Sequence, residues 1–312
     1  MNALAIDLGG SHATCAVVRD GAILASQSLA ADGRESLAEM LPLLSATLLE
    51  LLTRTSIHRA DCAGLVLGFC GIVSAREKRV VATNKKFDDA PGLDLNHWCR
   101  SQFQLPFFIE NDARIALLGE HAFGAGRGAE DVVMVTLGSG IGGAAVLGGR
   151  LLQSRHGLAG SIGGHLPVVL DGRLCSCGNR GCAESEAATA FLCEIYRDQP
   201  GSGSGALSSH GTIGFAELFE AADAGDPPAI TALEHCRRVW SVLTVALIHA
   251  YDPEVVVFGG SVLKRAAQIL PHVQEYVNAH AWTSSRKVPL RAASLGSDAA
   301  LLGATPLIEL TD

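Results

Sequence analysis

The sequence predicts an α/β protein made of two halves of related topology. Three observations carry that reading. Apolar runs bounded by glycine alternate with segments of helical periodicity. The order strand, glycine turn, strand, turn, strand occurs twice, in AIDLGGSHATCAVVRDGAILAS and in DVVMVTLGSGIGGAAVLGGRLLQS. The 35 glycines arrive in clusters, which marks turns where backbone approaches a ligand or another backbone closely.

In chain order, residues 3–7, 12–18 and 22–29 alternate as strands of an antiparallel meander. Residues 34–55 place Leu and Met at helical spacing and predict a long amphipathic helix. CAGLVLGFCG is a buried strand ending in a glycine turn. LDLNHWCRSQF reads as a helix, LPFFIEND as a strand, and ARIALLGEHAFG as the helix after it. The Gly-rich polar stretch 124–131 marks a boundary, after which the meander scheme restarts. A helix is expected at 183–197, a polar loop at QPGSGSGALSSHG, and helices at 215–223 and 227–251. DPEVVVFGGSVL is a buried strand running into Gly259-Gly260 and a helix. VPLRAAS is a last strand and DAALLGATPLIEL a closing helix. The expected division is an N-terminal domain at 1–123, with 298–312 packing back on it, and a larger domain at 124–297.

Composition narrows the function classes. An apolar fraction of 48% supports a sizeable core. A net charge of −8, with no helix-turn-helix pattern ahead of Asp7, argues against a nucleic-acid partner. No apolar run reaches the ~18 residues of a membrane span, and MNALAIDLGG runs directly into a strand, so no leader is expected. Of nine cysteines, six are scattered, mostly in apolar runs, as small buried thiols are. The pattern suits a reduced, cytoplasmic chain with one metal cluster rather than a disulfide framework.

Three glycine turns follow apolar strands: DLGGS (7–11), TLGSGIGG (136–143) and FGGS (258–261). Such turns can aim backbone N–H groups at a phosphate, or can simply be hairpins. None matches the Walker pattern, and the first two lead into strands rather than a dinucleotide-binding helix. In IENDARIALLGE, Asp112 ends a buried strand just before a helix. That is where a carboxylate accepting a hydroxyl proton belongs in an open α/β sheet, and equally where a helix N-cap belongs. In LCSCGNRGCAES, Cys175, Cys177 and Cys182 form a tight knuckle, and His165 lies ten residues ahead of Cys175. Together they make a Cys₃His set, a closed structural zinc site, with His156 the rival fourth ligand.

The whole series, from DxGG through END and GxGxGG to H-x₉-C-x-C-G-x-x-G-C-x-E, resembles the ROK family (repressors, open reading frames and sugar kinases) from Asp7 to the closing helix. That resemblance implies an α/β fold of two actin-like (ribonuclease H-like) domains facing across a cleft, with a structural zinc loop. It implies an ATP-dependent kinase that phosphorylates a hexose, at O6 of a glucose-type sugar. N-acetylmannosamine kinase and fructokinase are the alternatives within the family; a sugar-sensing regulator or a non-catalytic sugar-binding protein are those of another class. By resemblance Asp112 is the catalytic base. Asn84, Asn111, His165, Glu184 and Gly71 lie on the sugar side. Asp7 stands near Mg²⁺, with Gly9, Gly10, Ser11, Gly138, Ser139, Gly140, Gly259 and Gly260 around ATP. The family also suggests a homodimer. Two departures stand out: Ser161 where a sugar-gripping Glu is usual, and Arg114 where Asn commonly follows ENDA. Arg114 is expected either to alter sugar contacts or to sit on the helix surface.

Overall fold

The computed structural model describes every residue except Ser11, 32–34, Asn84, Lys85, Ile162 and Asp312. The chain divides into two compact units. The first comprises Met1–Ala129, Gly148–Ser161 and Ser294–Asp312; the second comprises Glu130–Leu147 and Ile162–Ala293. Gly148–Ser161, expected with the second half, thus groups with the first.

In the first unit β1 (Asn2–Leu8), β2 (His12–Arg19) and β3 (Ala22–Ala30) form the meander. Helix α1 (Leu37–Thr55) follows. It starts at Leu37 because the Ser36 hydroxyl accepts the Glu39 amide as N-cap, and it ends on Ser56 in the left-handed region. Its buried Leu37, Met40, Leu44, Leu48 and Leu51 recur every three or four residues, one face against the core. Strand β4 (Cys62–Phe69) leads to a hairpin of β5 (Ile72–Ser74) and β6 (Arg79–Ala82). Sequence reading missed that hairpin, whose strands are too short for a period. Helix α2 (Leu95–Phe103), strand β7 (Phe107–Asn111) and helix α3 (Asp112–Phe123) complete the run. The sheet order is β3-β2-β1-β4-β7, with β1, β4 and β7 parallel neighbours.

The closing helix is two short helices, Ala299–Leu302 and Ala304–Glu309. The break is at Gly303, where any Cβ would strike the Ile115 carbonyl of α3. Gly119 on α3 likewise lies against the Ala299 carbonyl, so two glycines let these helices touch through backbone.

The second unit repeats the plan with strands β8 (Val132–Leu137) and β9 (Ile141–Leu147); the short outer strand β10 (Arg150–Leu151) lies in the Gly148–Ser161 stretch. The 183–197 segment is not one helix. It splits into α4 (Ala183–Ala187), a 3₁₀ turn at Thr189–Phe191 and α5 (Leu192–Arg197). The split falls at Ala188, which is extended, so that the Thr189 and Ala190 amides donate to the Gly138 and Ser139 carbonyls, both at 3.1 Å. Helices α6 (Phe215–Asp223) and α7 (Pro227–Tyr251) match their expected limits. Asp226 caps α7 and Pro fills its first positions, where a missing N–H costs nothing. Strand β11 (Val255–Gly259), helix α8 (Ala266–His280) and strand β12 (Leu290–Ala292) close the unit. This sheet runs β10-β9-β8-β11-β12. No helix among the described residues is long and apolar enough to cross a membrane.

Candidate functional site

Parallel pairing of β1, β4 and β7 brings three strand ends together in the first unit. The register sets Asp7 opposite Gly68, and Gly68 opposite Glu110. Gly68 sits between them, where a Cβ would make ordinary contact with Asp7 Oδ1 at 3.6 Å. Immediately beyond the row, Asn111 is the N-cap of α3. Its Oδ1 accepts from the Arg114 amide at 3.3 Å, and its Nδ2 donates to the Gly71 carbonyl at 3.2 Å. Gly71 has no room for a side chain, since a Cβ would sit 2.8 Å from the Ala82 carbonyl.

Asp112 is therefore not the cap; it is the first residue of α3, and its Oδ1 accepts the Ala113 amide at 2.8 Å. Burial pushes its carboxyl up to about 6, against the lowering pull of the Ala113 amide and Asn111. Asp7 is pushed up to about 7, first by burial and then by the charge of Asp112. Two buried carboxyls held above the ordinary range, one of them raised further by the charge of the other, favour a proton or a cation. The Cys70 thiol beside them is held up at about 12, mainly by burial and then by Asp112.

Of the first glycine turn, Ser11 lies outside the described residues, as does Asn84, the residue expected on the sugar side. The Gly9 amide donates to the His12 carbonyl at 3.0 Å, closing the turn. Gly10 has open space where a Cβ would be. Sequence reading missed Lys86, whose ammonium donates to the Gly10 carbonyl and, at 3.0 Å, to that of Ala31. The two consecutive lysines after Asn84 were the only signal.

Arg114 fits neither expectation. It is 1% exposed and forms an ion pair with Glu110, Nε to Oε1 at 2.9 Å, while Nη1 donates to the Ala159 carbonyl at 2.9 Å. Ser161 spends its hydroxyl on the Gly157 and Leu158 carbonyls, both at 3.2 Å.

In the second unit Gly138, Ser139 and Gly140 form the turn between β8 and β9, closed by the Gly138 amide donating to the Gly140 carbonyl at 3.0 Å. Gly260, at φ +92°, packs on the backbone of Leu137 where no side chain would fit. Gly259 lies against Met134, so the second and third glycine turns are neighbours.

His165, Cys175, Cys177 and Cys182 converge, with their ligand atoms all within 4.8 Å of one another. Cys175 Sγ is 3.5 Å from His165 Nδ1, and Cys177 Sγ is 3.7 Å from Cys182 Sγ. A tetrahedral zinc with bonds of about 2.3 Å to sulfur and about 2.0 Å to nitrogen has ligand–ligand edges of about 3.5–3.8 Å. The group fits that ion, and His156 is not part of it. Gly178 at φ +88° and Gly181 at φ +69° make the bends that wrap the loop. Glu184, two residues beyond Cys182, accepts the Ile141 amide through Oε2 at 3.0 Å.

The comparisons with known proteins agree with this geometry. The ROK family model matches residues 3–310. The glucokinase of Thermotoga maritima is 32% identical over 98% of this chain and 96% of its own length. The glucokinase of Halalkalibacterium halodurans is 32% identical over 80% of this chain and 77% of its own. A crystal structure of a ROK family glucokinase from Streptomyces griseus, in complex with glucose and AMPPNP, superposes with a TM-score of 0.81 at 28% identity. It covers 98% of this chain and 99% of that one. With the two-sheet fold of ROK kinases, the His-Cys₃ group and a family match along nearly its whole length, this chain belongs to the ROK family.

Proposed function

We propose that the protein is an ATP-dependent hexose kinase, with glucose as its leading substrate and O6 as the acceptor. The observation that carries the reading is the Asp112 carboxyl at the end of β7. It is held near 6 beside Asp7, in a chain related at about 30% identity to glucokinases. A base of that strength is ionised at neutral pH yet still takes a proton readily. Asp112 accepts the proton of the sugar hydroxyl as that oxygen bonds to the γ-phosphorus. The bond from phosphorus to the bridging oxygen breaks, and ADP leaves with the electron pair. Asp7, raised by burial and then by the charge of Asp112, is the group that would hold Mg²⁺, which would neutralise charge on the phosphates. By the family resemblance, Gly10 in the first unit and the Gly138–Gly140 turn in the second are each assigned a phosphate-binding role. Asn111 and His165 stand on the sugar side in this assignment.

Zinc supplies no chemistry in this reading, since four protein ligands leave it no open position. It fixes the loop that carries His165 and Glu184. Ser161, with its hydroxyl engaged in its own turn, leaves the usual carboxylate missing and makes N-acetylmannosamine the second substrate to try.

A coupled ADP-release assay with Mg-ATP tests the proposal across glucose, mannose, fructose, allose, N-acetylglucosamine and N-acetylmannosamine. Turnover with glucose supports it as stated. Turnover with another sugar keeps the kinase and replaces its substrate. No turnover with any, from protein holding one zinc per chain, overturns it.

A further inference from the structure

Glu184 has a second relationship that a sugar contact does not explain. Its Oε2 accepts the amide of Ile141, the first residue after the Gly138–Gly140 turn, at 3.0 Å. The carboxylate lies so close to that turn that a Cβ on Gly140 would stand 2.5 Å from Oε2. The other oxygen, Oε1, lies 3.5 Å from the hydroxyl of Ser176, inside the cysteine knuckle. Glu184 is the second residue of α4, and the N-cap of α4 is Cys182, one of the four converging ligands. From the other end of α4 the chain returns to the same turn, through the Thr189 and Ala190 amides on the Gly138 and Ser139 carbonyls. Three hydrogen bonds therefore tie the β8–β9 turn to the segment that begins at the knuckle. One of them has an ionised acceptor, which roughly doubles the strength of a neutral pair.

We infer that Glu184 is a positioning residue for the nucleotide: its carboxylate braces the 138–141 turn, so that the cysteine knuckle sets the geometry of a phosphate-binding turn as well as that of the sugar side. The inference rests on the reading of that turn as nucleotide-binding. The chemistry is local. A glycine turn gains affinity for phosphate when its amides are held in place before the ligand arrives. The Ile141 amide, pinned from outside, keeps the end of the turn from relaxing. A Cβ on Gly140 would displace the carboxylate of the brace, which occupies that volume.

The test uses Glu184→Ala, Glu184→Asp and Glu184→Gln in the full chain. Aspartate keeps the charge but is one methylene short of the Ile141 amide; glutamine keeps an acceptor at the right reach. Two readouts are taken without any sugar: amide hydrogen exchange across 138–142, and the Kd for Mg-AMPPNP by calorimetry. The expected result is exchange at Ile141 at least tenfold faster in the Ala and Asp variants, nucleotide Kd raised about tenfold, and Gln within threefold of the parent. Zinc content stays at one per chain. Unchanged exchange and unchanged nucleotide Kd in Glu184→Ala, with only sugar affinity lost, would overturn the inference. Exchange that responds as expected in a protein that binds no Mg-AMPPNP would support the brace and sink the kinase reading. Should the Ala variant fail to fold, the Asp and Gln pair gives the same comparison.

Discussion

Replacing Asp112 by Asn should make the protein more stable and nearly inactive. Raising the Asp112 carboxyl from 3.8 to about 6 makes its ionised form about 3 kcal/mol costlier in the folded chain than in the unfolded one above pH 7. Asparagine is neutral, keeps an oxygen for the Ala113 amide, and escapes that cost. The side chain is only half-buried, so the expected gain is about 1–3 kcal/mol. Loss of the Asp112 charge also relieves Asp7, which adds in the same direction. The pH dependence fixes the cause. The folded value lies above the unfolded one, so the stabilising effect of protonation is full below about pH 4 and is lost as pH rises through about 6. The advantage of Asp112→Asn therefore vanishes toward pH 4 and reaches full size above pH 7. Thermal unfolding at pH 4, 6 and 8 measures it, and a rise in Tm of several degrees at pH 8 is expected. Turnover should fall by roughly 10²–10⁴-fold, the usual contribution of a general base. A variant no more stable than the parent at pH 8 would refute the burial argument. One that kept its activity would refute the assignment of the base.

Four further outcomes are expected. The kcat/KM for the sugar should fall with acid below about pH 6, as Asp112 gains its proton, and a flat profile between pH 5 and 8 would exclude it as the base. Elemental analysis should find one zinc per chain, and Cys177→Ser should lose it together with several degrees of Tm. Arg114→Met should destabilise by about 3–5 kcal/mol in urea titrations, because it strands the Glu110 charge in the interior; Glu110→Gln added to Arg114→Met should recover most of the loss. Mg²⁺ alone should raise Tm more at pH 8 than at pH 5, since the cation competes with the protons that Asp7 and Asp112 hold in acid.

Legibility in the sequence followed the range of the forces involved. Helices α6 and α7 are set by local periodicity and caps, and their limits could be read directly. The knuckle was readable too, because three of its ligands and both wrapping glycines lie within eight positions of sequence. The break at Ala188 was not, since nothing in AAT announces it; it exists because two amides are drawn to the Gly138 and Ser139 carbonyls, some fifty residues away in sequence. Gly303 was read as the interior of a helix for the same reason, its cause being the Ile115 carbonyl. Arg114 looked like a surface or sugar-side cation. Its partner was four residues behind it at Glu110, at helical spacing, but that residue lies in a strand, so the i,i+4 rule gave no warning. Asp112 was ambiguous between base and cap because both roles call for the same residue at the same place. Only the hydrogen bonds separate them, by giving the cap to Asn111.

That last distinction bears on why the site is built as it is. A cap carboxylate spends its charge on the helix amides, which hold it ionised and weakly basic. With Asn111 in that position, Asp112 accepts the Ala113 amide at Oδ1, and burial outweighs that bond and the Asn111 side chain, leaving the carboxyl near 6. The same substitution lets the Asn111 Nδ2 reach the Gly71 carbonyl, locking the turn after β4 to the start of α3. Glu110, the third polar residue in the row, is neutralised separately by Arg114 and by the Asn111 amide. Of the three consecutive polar side chains Glu110-Asn111-Asp112, two are therefore consumed in holding the strand end rigid. The third is held above the ordinary carboxylate range by burial, at a cost the fold carries, and in the proposed reaction that raised carboxyl is what would serve as the base.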